Sequence, residues 1–380
     1  RMRAQIAGLR QAIDNSETGI TMLQTAEGAL EEVNRTLINA RQLAISSANE
    51  AVNDEAMLTA NQQEFDDSLR AIDRIARISN YGTKAILDGS MGANGVTIGD
   101  NLEFISATEK TKSSPVGGFA VEIKVAATHS SVTGKVALTK ALIDSGEQLT
   151  FSEGGKTLNF ETIAGESVET TMNRLEKAVI ASGMKIKMIR VPGSASTPDA
   201  PQFLNFQHQE FGSKHSFHVG SKTSGVLSAQ ADVPDMVKNG LDVAGYIGDE
   251  LGIGKGQILT GSRPSKVSGL KIRYTGKNAP PSGKMAGSVT LSQNSLIFHV
   301  GPNADQSTSF SLRSISSKKL GNGVTNESGY RSLNDVDLTE ASKAQDAILI
   351  IDKAINEITA FRGKMGAFQK NDLESNLNYL

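Results

Sequence analysis

The sequence predicts an α+β chain. Its two ends form one long antiparallel, coiled-coil-like helical rod domain, and its middle is a mainly β outer insertion with some helix. Three observations predict this. From Ile6 to Ala44, apolar or small residues recur in steps of three and four. Ile6, Ile13 and Ile20 make one seven-residue series, and Leu9, Leu23, Leu30, Leu37 and Ala44 the other, with Ser16 in the gap. Near the far end, Ala341, Ile348 and Ile355 form a series beside Ala344, Ile351, Ile358 and Met365. Between these stretches the pattern changes to short runs punctuated by Gly, Ser and Thr. A seven-residue period with two apolar positions is a seam that must be buried against another helix. A stripe sustained for more than about 25 residues is untypical of an ordinary globular helix.

Taken in order, the first helix is expected from the start to about Asn49, interrupted over Asn49 to Glu55, where Asn53 and Asp54 are candidate caps. A second helix carries Leu58, Phe65 and Ile72 seven apart, with Leu69 and Ala76 between, and ends near Asn80 at the turn residues Tyr81-Gly82 and Asp88-Gly89-Ser90. Strands are expected at Val96–Ile98, Leu102–Ile105, Phe119–Val125, Lys135–Leu138, Leu149–Phe151 and Thr157–Phe160. A helix follows at Ser167–Ser182 with Gly183 as its cap, then a returning strand at Lys185–Val191, which together read as a ββαβ unit. Pro192 to Pro201 reads as a surface loop. Further strands are expected at Gln257–Leu259 and Leu270–Tyr274, then a hairpin from Leu296 through Pro302–Ser307 to Phe310 and Leu312. The helical stripe resumes after Leu338. Boundaries fall at 1–110 and 287–380 for the two halves of the rod and 111–286 for the insertion, which divides into 111–232 and 233–286.

Composition points away from catalysis. There are 39 basic and 41 acidic residues, so no net field steers the chain toward nucleic acid or an anionic membrane. The densest basic run, Lys185 to Arg190, alternates with apolar residues like a strand with one solvated face. Cysteine is absent, which excludes disulfides and thiolate chemistry. No apolar run reaches the roughly 18 residues of a membrane span. His208, Glu210, His215 and His218 could in principle ligate a metal, but His215 and His218 would lie on opposite faces of a strand. Gly252 to Gly256 lacks the spacing of a phosphate loop and reads as a turn between strands. The pairs Asp66-Asp67 and Asp249-Glu250 are adjacent and diverge. No GxSxG or HExxH is present. The expectation is a protein with no catalytic residues, no cofactor and no metal. The sequons at Asn34 and Asn326 are read as chance, the first lying inside a helix.

Particular residues then carry a family resemblance. Thr25-Ala26-Glu27-Gly28-Ala29-Leu30, followed by Arg41-Gln42-Leu43-Ala44-Ile45-Ser46-Ser47-Ala48-Asn49, resembles the N-terminal region of bacterial flagellin, and Ala71 to Ala76 continues the match. Ala347 to Ala360 and Gly366 to Ser375 are similar to the C-terminal flagellin helix, and Phe298 to Ala304 to the strand that leads into it. The resemblance covers about 4–90 and 290–380. It implies a filament subunit of the flagellum, exported by the flagellar type III route to the cell exterior, with other flagellin subunits, an export chaperone, hook-associated proteins and the filament cap as partners. The start inside a helix (Arg1, Met2, Arg3) gives the expectation that the innermost terminal helices are missing, so that this chain stays soluble. The resemblance also implies a receptor or assembly surface at Asn39, Arg41, Leu43 and Glu64. Asn39 stands where flagellins seen by an innate immune receptor commonly have arginine, and Gln42 where they have glutamate, removing charged contacts. The hook–filament junction protein shares the same architecture, and a surface adhesin on a flagellin frame is a further alternative.

Overall fold

The computed structural model describes residues 2–190, 197–281, 283–326 and 328–379. In chain order it comprises helices α1 (Met2–Ser47) and α2 (Glu55–Ile78), the short strands β1 (Asn80–Tyr81) and β2 (Lys84–Ala85), then β3 (Ala93–Ile98), β4 (Leu102–Ser106), β5 (Phe119–Val125) and β6 (His129–Thr133). Next come α3 (Lys140–Asp144), β7 (Gln148–Glu153), β8 (Lys156–Glu161), α4 (Val168–Ala181), β9 (Ile186–Met188), β10 (Asn205–Phe211), β11 (His218–Ser221) and β12 (Asp235–Met236). The chain continues through β13 (Ala244–Ile247), β14 (Glu250–Lys255), β15 (Ile258–Gly261), β16 (Lys271–Tyr274), β17 (Gly287–Gln293), β18 (Leu296–His299) and β19 (Ser307–Phe310) to α5 (Ala341–Phe368). A π-helical turn at Gln369–Glu374 and α6 (Ser375–Tyr379) close it.

Helices from both ends of the chain share one core. Leu23, Leu30, Leu37 and Ala44 of α1, Phe65 and Ile72 of α2, and Ala344, Ile351 and Ile358 of α5 are buried in a single cluster. The first helix turns where expected. The Asn53 side-chain amide donates to the Ser46 carbonyl at 2.5 Å and the Asn49 carbonyl at 3.0 Å, closing groups that α1 leaves open. Asp54 then accepts from the Met57 amide at 2.8 Å as the cap of α2.

The second line of the α1 seam differs from expectation. Ile6 is 49% exposed, and Ile13 and Ile20 are only half-buried. The buried line is Ala12, Ala26, Val33, Ala40 and Ser47, small side chains that let neighbours approach closely. Gly19 continues that line. A Cβ added there would lie 2.9 Å from the Phe298 ring on β18. Gly19→Val is therefore expected to destabilise the helical unit by about 1–3 kcal/mol through overpacking, checked by chemical denaturation. The α5 seam shows the same shift. Ala347, Ala354, Phe361 and Phe368 are its second buried line, whereas Ala341, Ile348 and Ile355 are half-buried. The β18–β19 hairpin bridges the two ends. Phe298 and Phe310 approach Phe368 with ring centroids 5.8 and 4.8 Å apart, and the Asn15 amide donates to the His299 carbonyl at 3.1 Å.

A second core lies in an eight-stranded antiparallel sheet of order β3-β17-β5-β13-β14-β15-β16-β4. Its two outermost strands, β3 and β4, are consecutive in the chain, and the Thr97 hydroxyl donates to the Leu102 carbonyl at 2.9 Å, so the sheet curls back on itself. This sheet runs across the expected boundaries near 110 and 286, since β4 pairs with β16 and β17 with β5. Gly252 and Gly254 lie within β14, so the stretch read as a turn is mostly strand. Glycine is required there because a Cβ on Gly254 would meet the Val243 carbonyl oxygen at 1.7 Å.

The third core belongs to a unit nested in the sheet, between β5 and β13. It holds a three-stranded sheet of order β6-β10-β9 and a four-stranded sheet of order β12-β11-β7-β8. Phe151 on β7 and Phe206 on β10, 4.6 Å apart, join the two sheets. The helix α4 forms as expected, with Ser167 accepting from the Thr170 amide, Gly183 in the left-handed region, and Val168, Met172, Leu175 and Val179 buried. The ββαβ reading requires correction. β9 pairs with β10, not with β7 or β8, so the strand after α4 enters the other sheet. Lys135–Leu138 is not a strand; only Leu138 forms an isolated bridge to Gln202. The Pro192–Pro201 loop lies partly outside the described residues. The nested unit enters and leaves at one place, because the Thr128 amide donates to the Leu241 carbonyl at 2.9 Å and the Leu241 amide to the Thr128 hydroxyl at 2.9 Å.

Candidate functional site

The residues expected to form an outward surface sit on α1 and α2, which return past each other after a tight turn. The Asn61 amide donates to the Ser47 hydroxyl at 3.0 Å. Counting back from that bond in antiparallel register puts Glu64 level with Leu43 and Ala44. Asn39 and Glu64 are exposed, and Leu43 is half-buried against the helical core. Arg41 differs. Its Nε donates to Asp352 Oδ1 at 2.5 Å and its Nη2 to Asp352 Oδ2 at 3.3 Å, so the guanidinium spans from α1 to α5. That hydrogen bond, with the carboxylate's charge, raises the Arg41 pKa above its ordinary value. Residues two apart on a helix lie roughly 160° apart, so Arg41 occupies one flank of the seam and Asn39 and Leu43 the other. The structure therefore does not gather all four on one face. Within the chain, the charge of Arg41 is already met by Asp352. Asp352→Asn should release Arg41 while shifting the melting temperature only slightly, because exposed ion pairs contribute little.

Sequence reasoning missed a basic groove on α2. Arg70, Arg74 and Arg77 follow one another at helical spacing, and Lys318 faces them from the loop after β19, across a groove of about 720 Å³. That loop is pinned to α2 because Asp73 accepts from the Ser317 amide at 2.7 Å and its hydroxyl at 2.9 Å. The groove's other carboxylates are engaged, Asp67 with Arg70 and Asp88 with the Ser90 amide and hydroxyl. Arg74, Arg77 and Lys318 form no ion pair among the described residues. The spacing of the three arginines was readable in the sequence. Their confrontation with Lys318, some 240 residues away, was not.

The histidines are arranged around β10. His208 is buried, accepts through Nδ1 from the Glu210 amide at 3.0 Å, and has Nε2 3.6 Å from Glu153 Oε1. His215 Nε2 lies 3.1 Å from Glu210 Oε2, its ring stacked 5.0 Å from His208. Among the described residues, no group of three or more His, Cys, Asp or Glu could hold a metal ion. His129 packs on Phe211 at 3.6 Å, and burial lowers its pKa. Its neutral form is thus favoured in the fold. Below the unfolded value of about 6.5 the unfolded chain takes up a proton that the fold resists. Stability of the nested unit should therefore fall as pH drops from about 7 toward 5, before Glu210 and Asp242, whose pKa values lie below the usual carboxylate values, begin to protonate. Urea unfolding across that range should show the decline, and His129→Gln should flatten it.

Residues 1–91 match the family model of the bacterial flagellin N-terminal helical region. The B-type flagellin of Pseudomonas aeruginosa is 28% identical over 412 aligned positions, covering 100% of this chain and 78% of that protein. The chain is thus similar to the bacterial flagellins, most specifically in its N-terminal helical region. A flagellin of Halalkalibacterium halodurans is 39% identical over 112 residues, covering 30% of this chain and 41% of the relative. The polar flagellin F of Vibrio parahaemolyticus is 26% identical over 250 residues, covering 65% of this chain and 59% of the relative. For these last two flagellins, the match spans less than two thirds of the relative. The matched N-terminal region contains α1 and α2, and hence Asn39, Arg41, Leu43, Glu64 and the arginines of the groove.

Proposed function

We propose that this chain is a structural subunit of the bacterial flagellar filament, non-enzymatic and extracellular, which self-assembles through a rod built from both ends of the chain. The observation that carries the reading is the shared core of α1, α2 and α5, in a chain whose first 91 residues match the flagellin N-terminal helical region. A core of this kind leaves the nested unit, inserted far from both ends, free to project outward. Flagellin relatives over the length of the chain favour the filament over the hook–filament junction. Neighbouring flagellin subunits are the main partners. An export chaperone, hook-associated proteins and the filament cap serve delivery by the type III route and assembly. An innate immune receptor would meet Asn39, Leu43 and Glu64, with Arg41 available only in part. Among the described residues, no helix is long and apolar enough to cross a membrane.

The test is complementation. The full-length gene, placed in a bacterium deleted for its own flagellin, should restore filaments on the cell surface and swimming. Secretion of the protein without any filament would contradict the proposal.

A further inference from the structure

Alongside the basic groove, the helical unit carries an unpaired acidic tip. Glu50, Asp54 and Glu55 are exposed at the α1–α2 turn, and none forms an ion pair among the described residues. Val52 and Met57 are exposed beside them. The tip and the groove lie at opposite ends of α2. From Glu55 to Arg74 is 19 residues, roughly 28 Å at 1.5 Å per residue, so they cannot meet within one molecule. Helix-end electrostatics account for charge only in the first and last turns. They explain Glu55 and Arg77, but not Glu50 before the helix or Arg70 and Arg74 inside it.

We propose that the acidic tip of one copy of this chain docks in the Arg74–Arg77–Lys318 groove of the next. The contact is heterologous, joining different surfaces of identical molecules, so it repeats head to tail into an open filament. Complementary charge fixes its direction and register. Val52 and Met57 supply the apolar part, against Ala71 along the groove. The inference rests on the filament reading and specifies which surfaces join the subunits.

The test uses the full-length protein in seeded filament growth, followed by light scattering and electron microscopy. Arg74→Glu with Arg77→Glu should slow elongation by roughly tenfold or more, as like charges meet across the contact. Glu50→Lys with Glu55→Lys should do the same, and the four substitutions together should recover growth to within about threefold of the parent. Circular dichroism of each variant confirms that the helices remain. Parental growth in either reversed variant, or no recovery in the combined one, overturns the proposal. The absence of cysteine allows a second reading. With Ala51→Cys and Ala71→Cys, a short bis-maleimide should give a ladder of linked oligomers, in filaments or in concentrated solution. Failure of the parent to polymerise would count against the filament reading, and the ladder would still decide the contact. Monomers alone after cross-linking would overturn it.

Discussion

Phe65→Ala is expected to lower the stability of the helical unit by about 3–5 kcal/mol. The ring is fully buried on α2, among the largest side chains of the core that α1, α2 and α5 share. Truncation removes its transfer free energy and leaves a cavity among side chains belonging to three helices, which cannot collapse independently. The cost is a large fraction of the roughly 5–15 kcal/mol that holds a typical domain together. Chemical denaturation followed by far-ultraviolet circular dichroism should show the helical transition moving to lower denaturant, while the two β cores unfold as in the parent. A loss below about 1 kcal/mol would mean that α2 is not an integral part of that core.

The second large effect concerns excision. Removing the nested unit, residues 129–240, and joining Thr128 to Leu241 through a short glycine linker should leave the helical unit and the curled sheet folded. The two flanks already hydrogen-bond to each other, so the cut closes a gap the fold has closed itself. Removing 111–286 should behave differently. That cut deletes β5 and β13–β16, leaving β4 without its partner β16 and β17 paired only with β3, and exposing their apolar residues. The shorter deletion should stay soluble, with one unfolding transition fewer, and the longer one should aggregate through its bare strand edges. Thermal unfolding and gel filtration distinguish the two outcomes.

These cuts also show what the sequence made legible. The long helices, the caps at Asp54 and Gly183, and the hairpin at Leu296–Phe310 follow from local chemistry and stand where their residues place them, whereas the short α3 was not anticipated. The leucine line of α1 was legible because leucine recurring every seven residues marks a seam buried against another helix. The second line was misread because large isoleucines stood at one seven-residue spacing and alanines at another. At Gly19 the closeness of Phe298 on β18 requires a small residue, and this contact lies far away in sequence. Sheet membership was hidden because pairing partners such as Gly95 and Leu291 are distant in sequence. The partner strand of β9 could not be read from its three residues. At the candidate surface, exposure of Asn39 and Glu64 followed from their place off the stripe. The pairing of Arg41 depended on Asp352, more than 300 residues away. The π-helical turn that brings Leu373 into the core has no signal in the sequence that we can name.

The central claim is that the two ends of one chain form a single helical body from which the filament is built, with the nested unit outside it. Electron cryomicroscopy of filaments grown from the full-length protein tests it most directly. The account predicts α1 and α5 of the same subunit side by side nearer the axis, Arg41 against Asp352, and the nested unit at the largest radius. Density showing α1 packed on α5 of a different subunit, or the nested unit lining the inside of the tube, would contradict it.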